Sequence, residues 1–392
     1  MTAAAWRNCK LGDLLEIKHG YAFQSEYFAN AGSHIVLTPG NFYEEGGFKD
    51  KGVKEKFYNG PIPPDYVLNE GDLIVAMTEQ GEGLLGSSAI IPRSGRYLHN
   101  QRLGLVQVRD QAEADKGFLY YLFNAKPVRQ QIRGSASGTK IRHTAPLRIG
   151  EVKVSVPSLS VQRRIAGILS AYDELIENNQ RRIKILEEMA RSLYREWFVH
   201  FRFPGHDKVK MVPSPLGPIP QGWEVKKLGE ILELNYGKAL RHDTRREGQI
   251  PVFGSSGIVG YHDTSLVKGP GIIVGRKGNV GSVFWSDADF YPIDTAYFVT
   301  SSLPLRFMFY ELQTKNFINN DAAVPGLSRH QAYSLETVIP PTDLLTRFCR
   351  LADNFEKQAS KLRHQIENLR RTRDLLLPRL LSGQVNIEAR YA

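Results

Sequence analysis

Two stretches of the chain space their apolar residues in the same way. In the first, Ile165, Leu169, Tyr172, Ile176, Asn179, Ile183, Leu186, Ala190, Leu193 and Trp197 advance by alternating steps of four and three. In the second, Phe348, Ala352, Phe355, Ala359, Leu362, Ile366, Leu369, Arg373, Leu376 and Leu380 keep the same rhythm. This is the heptad seam of a coiled coil, and it predicts two long helices whose matching seams pack on each other. Roughly 33 seam residues at about 1.5 Å each span about 50 Å. Asn179 falls on a seam position, where one polar residue fixes register at some cost in stability. Arg373 does too, near the end, where its aliphatic stem carries the charge out to water.

Outside the seams, strand-like runs such as Asp72-Leu-Ile-Val-Ala and Gln249-Ile-Pro-Val-Phe alternate with glycine-rich turns. Helical stretches intervene at Lys116–Asn124 and Leu305–Leu312, so these parts read as mixed α/β (α+β). They also read as two copies. Trp6 through Gly20 aligns without a gap on Trp223 through Gly237, sharing a Leu-Gly-acid core at Leu11-Gly-Asp and Leu228-Gly-Glu. Gly71-Asp-Leu-Ile-Val-Ala aligns on Gly269-Pro-Gly-Ile-Ile-Val. Arg142-His143 followed by Val156-Pro157 aligns on Arg329-His330 followed by Ile339-Pro340. Three matches in one order make an internal repeat, with the first copy longer. Proline and glycine between Phe203 and Gly222 end the first helix and mark a linker.

Chain order then fixes an expected architecture. The first helix leaves one globular copy, and the second must return beside it. The fold is therefore expected to be two pseudo-symmetric globular domains separated by two long antiparallel helices. The expected boundaries are 1–157 for the first domain, 158–203 for the central helix, 204–221 for the linker, 222–340 for the second domain and 341–392 for the C-terminal helix.

Composition narrows the function. Of 392 residues, 42% are hydrophobic and 23% charged, as in globular chains that bury cores. Lys and Arg outnumber Asp and Glu by 51 to 41, a net charge of +10 that favours a polyanionic partner. The two cysteines, Cys9 and Cys349, are far apart and give neither a disulfide framework nor a zinc spacing. The N-terminal sequence has no signal-peptide pattern, and no run reaches the roughly 18 apolar residues of a membrane span. A cytoplasmic protein with no membrane partner is expected.

Catalytic patterns are then tested one by one. Gly81-Glu-Gly-Leu-Leu-Gly86 spells a dinucleotide fingerprint. That fingerprint needs a following helix and a ribose-binding acid, yet Ser87-Ser-Ala-Ile-Ile-Pro92 reads as a strand. Gly275-Arg-Lys-Gly-Asn-Val-Gly281 lacks the Gly-Lys-Ser/Thr of a P-loop and also enters a strand. No metal spacing among the ten histidines and no nucleophile elbow appears. Acidic residues are plentiful, but Glu151-Val-Lys153 has no convincing upstream partner and reads as an edge strand, and no Asn/Asp-Pro-Pro-aromatic methyltransferase sequence is present. No catalytic residue, no metal and no cofactor are expected in this chain.

Two related but non-identical basic domains on a rigid spacer suit an asymmetric, bipartite duplex DNA site. The whole chain resembles the DNA-specificity subunit of a type I restriction–modification enzyme. The resemblance rests on Leu216-Gly-Pro-Ile-Pro-Gln-Gly-Trp through Ile231, Ile250-Pro-Val-Phe-Gly-Ser-Ser-Gly through His262, Gly269-Pro-Gly-Ile-Ile-Val-Gly-Arg-Lys-Gly278, Tyr291-Pro-Ile-Asp-Thr295, Pro325-Gly-Leu-Ser-Arg329 and Arg373-Asp-Leu-Leu-Leu-Pro-Arg-Leu-Leu-Ser-Gly383. In the first copy the Leu-Gly-Asp opening and the Pro157-Ser-Leu-Ser-Val-Gln-Arg-Arg-Ile-Ala166 segment carry it.

The resemblance implies that each domain is a target-recognition domain reading half of a split site. It implies helices that space the two domains and dock two modification (methyltransferase) subunits, with restriction/translocase subunits joining through the complex. S-adenosylmethionine, ATP and Mg would belong to those partners. The DNA-contact candidates are Lys18, Tyr21, Thr78, Gln80, Lys140, Arg142 and His143 in the first domain. In the second they are Lys238, Arg241, Ser255, Ser256, Arg276, Lys277, Asn279, Arg329 and His330. A recognition subunit of a related modification or phage-exclusion system is the nearer alternative. A stand-alone nucleotide-acting enzyme using the glycine loops is the alternative of another class.

Overall fold

The computed structural model describes residues 6–79, 83–317, 326–385 and 387. The chain divides into two compact units, Met1–Asn178 with Gln365–Ala392 (unit 1) and Asn179–His364 (unit 2). Each holds a mixed α/β body and a part of each long helix. No helix among the described residues is long and apolar enough to cross a membrane.

Unit 1 is built on a four-stranded antiparallel sheet in the order Leu15–His19, Leu103–Val108, Leu73–Ala76, Ser88–Ile90. Unit 2 repeats it with Leu232–Tyr236, Ala296–Ser301, Gly271–Gly275 and Val283–Ser286. Leu73–Ala76 and Gly271–Gly275 are buried at every residue, which is why each reads as an unbroken apolar run. One face of Leu73–Ala76 packs with the helix Lys116–Asn124, and the other with Ile35, Leu37 and Leu68. Ile272 and Val274 likewise share a core with Phe307 and Met308 of the helix Leu305–Gln313, and Ile273 lies with Phe253 and Phe290. Beside this sheet each unit carries a smaller one, of Phe28–Ala29, Phe57–Tyr58, His34–Val36 and Tyr97–Leu98 in unit 1 and of Gly257–His262, Ile250–Gly254 and Tyr291–Pro292 in unit 2.

The repeated Leu-Gly-acid core has a local cause. Asp13 accepts from the backbone N–H of Lys10 at 2.8 Å, and Glu230 from that of Lys227 at 2.9 Å. Each acid thereby caps a one-turn helix, Leu11–Leu14 or Leu228–Ile231, that turns an edge strand into the sheet.

The first long helix spans Leu159–Tyr194 and continues as a π turn, Arg195–Val199; the second spans Thr342–Leu381. In unit 1, Ile165, Leu169, Ile176, Ile366 and Leu380 are buried, and Tyr172, Leu369, Arg373 and Leu376 are partly covered. In unit 2, Asn179, Ala190, Trp197, Phe348, Ala352, Ala359 and Leu362 are buried, and Ile183, Leu186, Leu193 and Phe355 are partly covered. The even heptad rhythm ends at the π turn, where Tyr194 and Phe198 join Trp197 in the core while Leu193 stays half-covered. Within unit 2, Glu187 pairs with Arg363, and farther along the first helix the Tyr194 ring meets Phe348. The two helices therefore run antiparallel there.

Polar ties fix each body to its helices. In unit 1, Asp173 accepts from Arg373 and from the Tyr121 hydroxyl, both at 2.6 Å, joining three helices. In unit 2, the buried Glu311 carboxylate accepts from the hydroxyls of Tyr194 and Thr337 and pairs with Lys315 at 2.6 Å. Burial, then the Glu311 charge, pushes the Tyr194 hydroxyl well above the usual phenol range, so it stays protonated as a donor. Arg306 bonds Asp353 at 2.8 Å and lies 3.7 Å from the Trp285 ring. Asp173→Ala is expected to lower the unfolding free energy of unit 1 by about 2 kcal/mol, the scale of hydrogen bonds to a charged group. Urea unfolding of the variant beside the wild type measures it, and an unchanged midpoint would rule the tie out as a stabilising contact.

Candidate nucleic-acid interface

In unit 1 the candidate residues fall into two groups at one end of the sheet. Lys18, on Leu15–His19, donates to the Asp65 carbonyl at 2.9 Å and lies 4.7 Å over the Tyr66 ring. Tyr21 packs against the same ring at 5.2 Å and against Phe23 at 5.1 Å. The second group is a two-residue strand pair, Thr78 opposite His143 and Glu79 opposite Arg142, with Thr78 Oγ1 3.3 Å from His143 Nδ1. Lys140 is exposed just before it, and Gln80 lies outside the described residues. The loop His99–Arg102 joins the groups. Tyr21 N donates to the His99 carbonyl at 2.9 Å, Gln101 N to the Tyr21 carbonyl at 2.9 Å, and Met77 N to the Arg102 carbonyl at 3.0 Å.

Unit 2 builds the corresponding end around Tyr236, which is 49% exposed. The Arg329 guanidinium lies 4.1 Å and that of Arg276 4.8 Å from its ring centre. Hydrogen bonding with Tyr297, then with Arg329, pulls the Tyr236 hydroxyl below the usual phenol range. Arg276 is also pinned through its side chain, which donates to the Asp294 carbonyl at 2.9 Å. Lys277 is bridged through its backbone to Gly326, and Lys238 N donates to the Pro292 carbonyl at 3.1 Å. Ser255, in the turn after Ile250–Gly254, is drawn to the Asn279 loop by Ser282, whose hydroxyl donates to the Ser255 carbonyl at 2.5 Å and the Asn279 carbonyl at 2.8 Å. Ser256 and His330 are exposed beside this group, and Arg241 is exposed with no contact to it among the described residues.

The glycines of the Gly275–Gly281 loop answer to its own folding. A Cβ at Gly275 would stand 2.1 Å from the Asn279 carbonyl oxygen, and Gly278 and Gly281 have φ of +79° and +75°. Gly20 and Gly237, which close the first repeated segment, serve a close approach. A Cβ would stand 2.0 Å from the Asn100 carbonyl oxygen at the first and 2.2 Å from that of Ile293 at the second.

Backbone bonding also corrects the alignment of the repeat. Ala76 pairs with Leu103 and Gly275 with Ala296, one residue away from the alignment on Val274. Thr144 N donates to the Met77 carbonyl at 2.9 Å, and Leu327 N to the Arg276 carbonyl at 2.8 Å, so Thr144 matches Leu327. Arg329-His330 then matches Pro146-Leu147 at the start of a short helix, not Arg142-His143 on a strand. A shared Arg-His pair suggested that match, but ladder register decides equivalence. Val156-Pro157 and Ile339-Pro340 do correspond, since their strands pair alike with Arg7–Lys10 and Glu224–Lys227.

The model of the family described as type I restriction modification DNA specificity domain matches residues 4–188 and 220–343, so it spans both copies. The chain belongs to this family. It is similar to the MjaIX type I restriction enzyme specificity subunit of Methanocaldococcus jannaschii, with 26% identity over 304 residues and 69% of each chain covered. It is also similar to a putative type I specificity subunit of Mycoplasma pneumoniae, with 22% identity over 349 residues and 85% of each covered. A solved S subunit of a type I restriction–modification system from M. genitalium shares the fold, with a TM-score of 0.60, 17% identity and 97% of both chains covered.

In this specificity-domain chain the residues missed from sequence are mainly aromatic. Tyr66 and Tyr236 organise the cations in the two units. Tyr236 directly precedes the repeat's closing glycine, where the first copy has His19. Among the described residues no cluster of His, Cys, Asp or Glu is placed to hold a metal ion. What both ends offer is hydrogen-bond donors, guanidinium planes and exposed amines, which suit phosphates and base edges.

Beneath Tyr21 and Tyr66 lies His99, fully buried, with Nε2 3.0 Å from the Leu103 carbonyl oxygen and Nδ1 without a partner among the described residues. Burial lowers its pKa from 6.5 to about 4. The unfolded chain therefore takes up this proton first as pH falls. The neutral imidazole's contribution is whole above about pH 6.5 and is lost progressively towards pH 4. The loss is expected to reach roughly 3 kcal/mol. Denaturation of wild type and His99→Gln across this range checks it: the stability gap between them should narrow on acidification, and a constant gap would contradict it.

Proposed function

We propose that this chain is the DNA-specificity subunit of a type I restriction–modification complex, with each recognition domain reading one half of a bipartite duplex site. The observation that carries the reading is a family match that spans both copies of the repeat. The net charge of +10 and the cations gathered at one sheet end in each unit agree with it. Contacts from Lys140, Lys238 and Lys277 to phosphates would set register, while side chains reaching base edges would set sequence choice. The two ends differ in chemistry, an Arg-Tyr-Arg stack against a Thr-His pair, so the two half-sites should differ and the site should not be a palindrome. Adenine methylation, ATP-driven translocation and cleavage, with their S-adenosylmethionine, ATP and Mg, belong in this reading to two modification subunits and to restriction/translocase subunits. The helices serve as spacer and docking surface.

Binding of duplex DNA against salt tests the reading. The affinity should fall with a log–log slope of about −0.9 for each phosphate neutralised. Lys277→Ala and Arg329→Ala should each make that slope shallower by about one. Salt-independent binding, or tight ATP binding in place of DNA binding, would sink the proposal. Inserting one heptad into both long helices should lengthen the gap between half-sites in selected duplexes. An unchanged gap would remove the spacer role.

A further inference from the structure

From Lys116 to Gly150 the chain carries seven lysines and arginines and no aspartate or glutamate. Near the end of this acid-free stretch lies a tight hairpin, in which Ser137 and His143 exchange both backbone hydrogen bonds, at 2.9 and 2.8 Å. Gly138, at a φ of +99°, permits it: a Cβ there would stand 2.0 Å from the Ile141 carbonyl oxygen. Lys140 and Ile141 lie exposed in the turn, Ile141 at 41%. Just beyond, Leu147 sits in the first turn of the helix Pro146–Gly150 at 85% exposure. Arg148 donates to the Ser135 carbonyl at 3.0 Å and the Ser137 hydroxyl at 3.2 Å, bolting this helix to the base of the hairpin.

Leu147 thus stands nearly uncovered and Ile141 partly so, on a braced segment whose own residues carry charge of one sign. The fold does not require the leucine, since the matching position in unit 2 is the polar His330. An exposed leucine adds little to folding, so its use lies in what it meets. On a polyanionic duplex, the apolar groups within reach of side chains flanked by phosphate-seeking cations are the C5-methyl groups of thymine in the major groove.

We infer that Ile141 and Leu147 read thymine methyl groups in the half-site bound by unit 1, an inference that rests on the DNA-recognition reading above. The charge of the segment selects nucleic acid over an apolar protein partner. Lys140 and Arg142 bring the hairpin to the backbone, and the two aliphatic chains discriminate thymine from cytosine by the methyl they cover.

The test uses the full chain with the subunits that co-purify with it. Duplexes are selected from a randomised pool, and the selected duplex is remade with uracil in place of each thymine in turn, which removes only the methyl. At one or more thymines of one half-site, uracil is expected to weaken binding about fourfold, the worth of one buried methyl. The Ile141→Ala/Leu147→Ala chain should be indifferent to that same substitution. Leu147 is nearly uncovered, so its truncation leaves the fold intact, and circular dichroism of the variant verifies this. Full affinity for every uracil duplex, or an equal uracil effect in the variant, overturns the inference while leaving DNA recognition standing. A variant that keeps the uracil effect but loses its co-purifying subunits assigns the two side chains to a protein contact and overturns it as well. Failure of the wild-type complex to select any duplex removes DNA recognition itself, and this inference with it.

Discussion

In each unit the backbone of one residue gathers the loops. Just past the buried central strand, Met77 donates to Arg102 and accepts from Thr144, and Arg276 donates to Thr295 and accepts from Leu327. The strand that leads to this node is covered on both faces, so its register cannot slip without exposing apolar surface. Through that node the loop after the central strand is tied to two others at the sheet end. The ties are made by backbone, so the side chain at the node is free to change, and it is methionine in one unit and arginine in the other.

The attachment of each body to the long helices follows a similar logic with different chemistry. Both units place a carboxylate where a helix of the body meets the pair. Asp173 stands on a long helix and accepts from the body's Tyr121, whereas Glu311 stands on the body and accepts from the long helix's Tyr194. The donor and acceptor sides are exchanged between the copies. Removing one partner of such a tie strands the other, which costs more than the tie itself contributes. The apolar seam between the helices carries the bulk of their packing, while these ties fix where each body sits on it.

The candidate interfaces are as much aromatic as cationic. Tyr66 holds Lys18 and Tyr21, and Tyr236 holds Arg276 and Arg329. A guanidinium stacked on a ring has fewer conformations to lose on meeting a phosphate or a base, so part of the ordering cost of binding is met in folding. Arg276 is held most firmly, by the ring and by the Asp294 carbonyl together, and so contributes charge and shape more than reach.

The sequence alone determined the elements whose signal is periodic or repeated. The heptad spacing marked both long helices, the apolar runs marked central strands, and the Leu-Gly-acid segment marked the repeat. The family resemblance was legible for the same reason, since it resides in long ordered segments. Only the tertiary structure decided what depends on partners distant in the chain. It aligned Arg329 with Pro146, because ladder register and not residue identity sets equivalence. It gave the glycines of Gly275–Gly281 to the loop's own closure, and it set Tyr236 between Arg276 and Arg329. Such facts rest on which backbone atoms meet across scores of residues, and a local pattern carries no record of that.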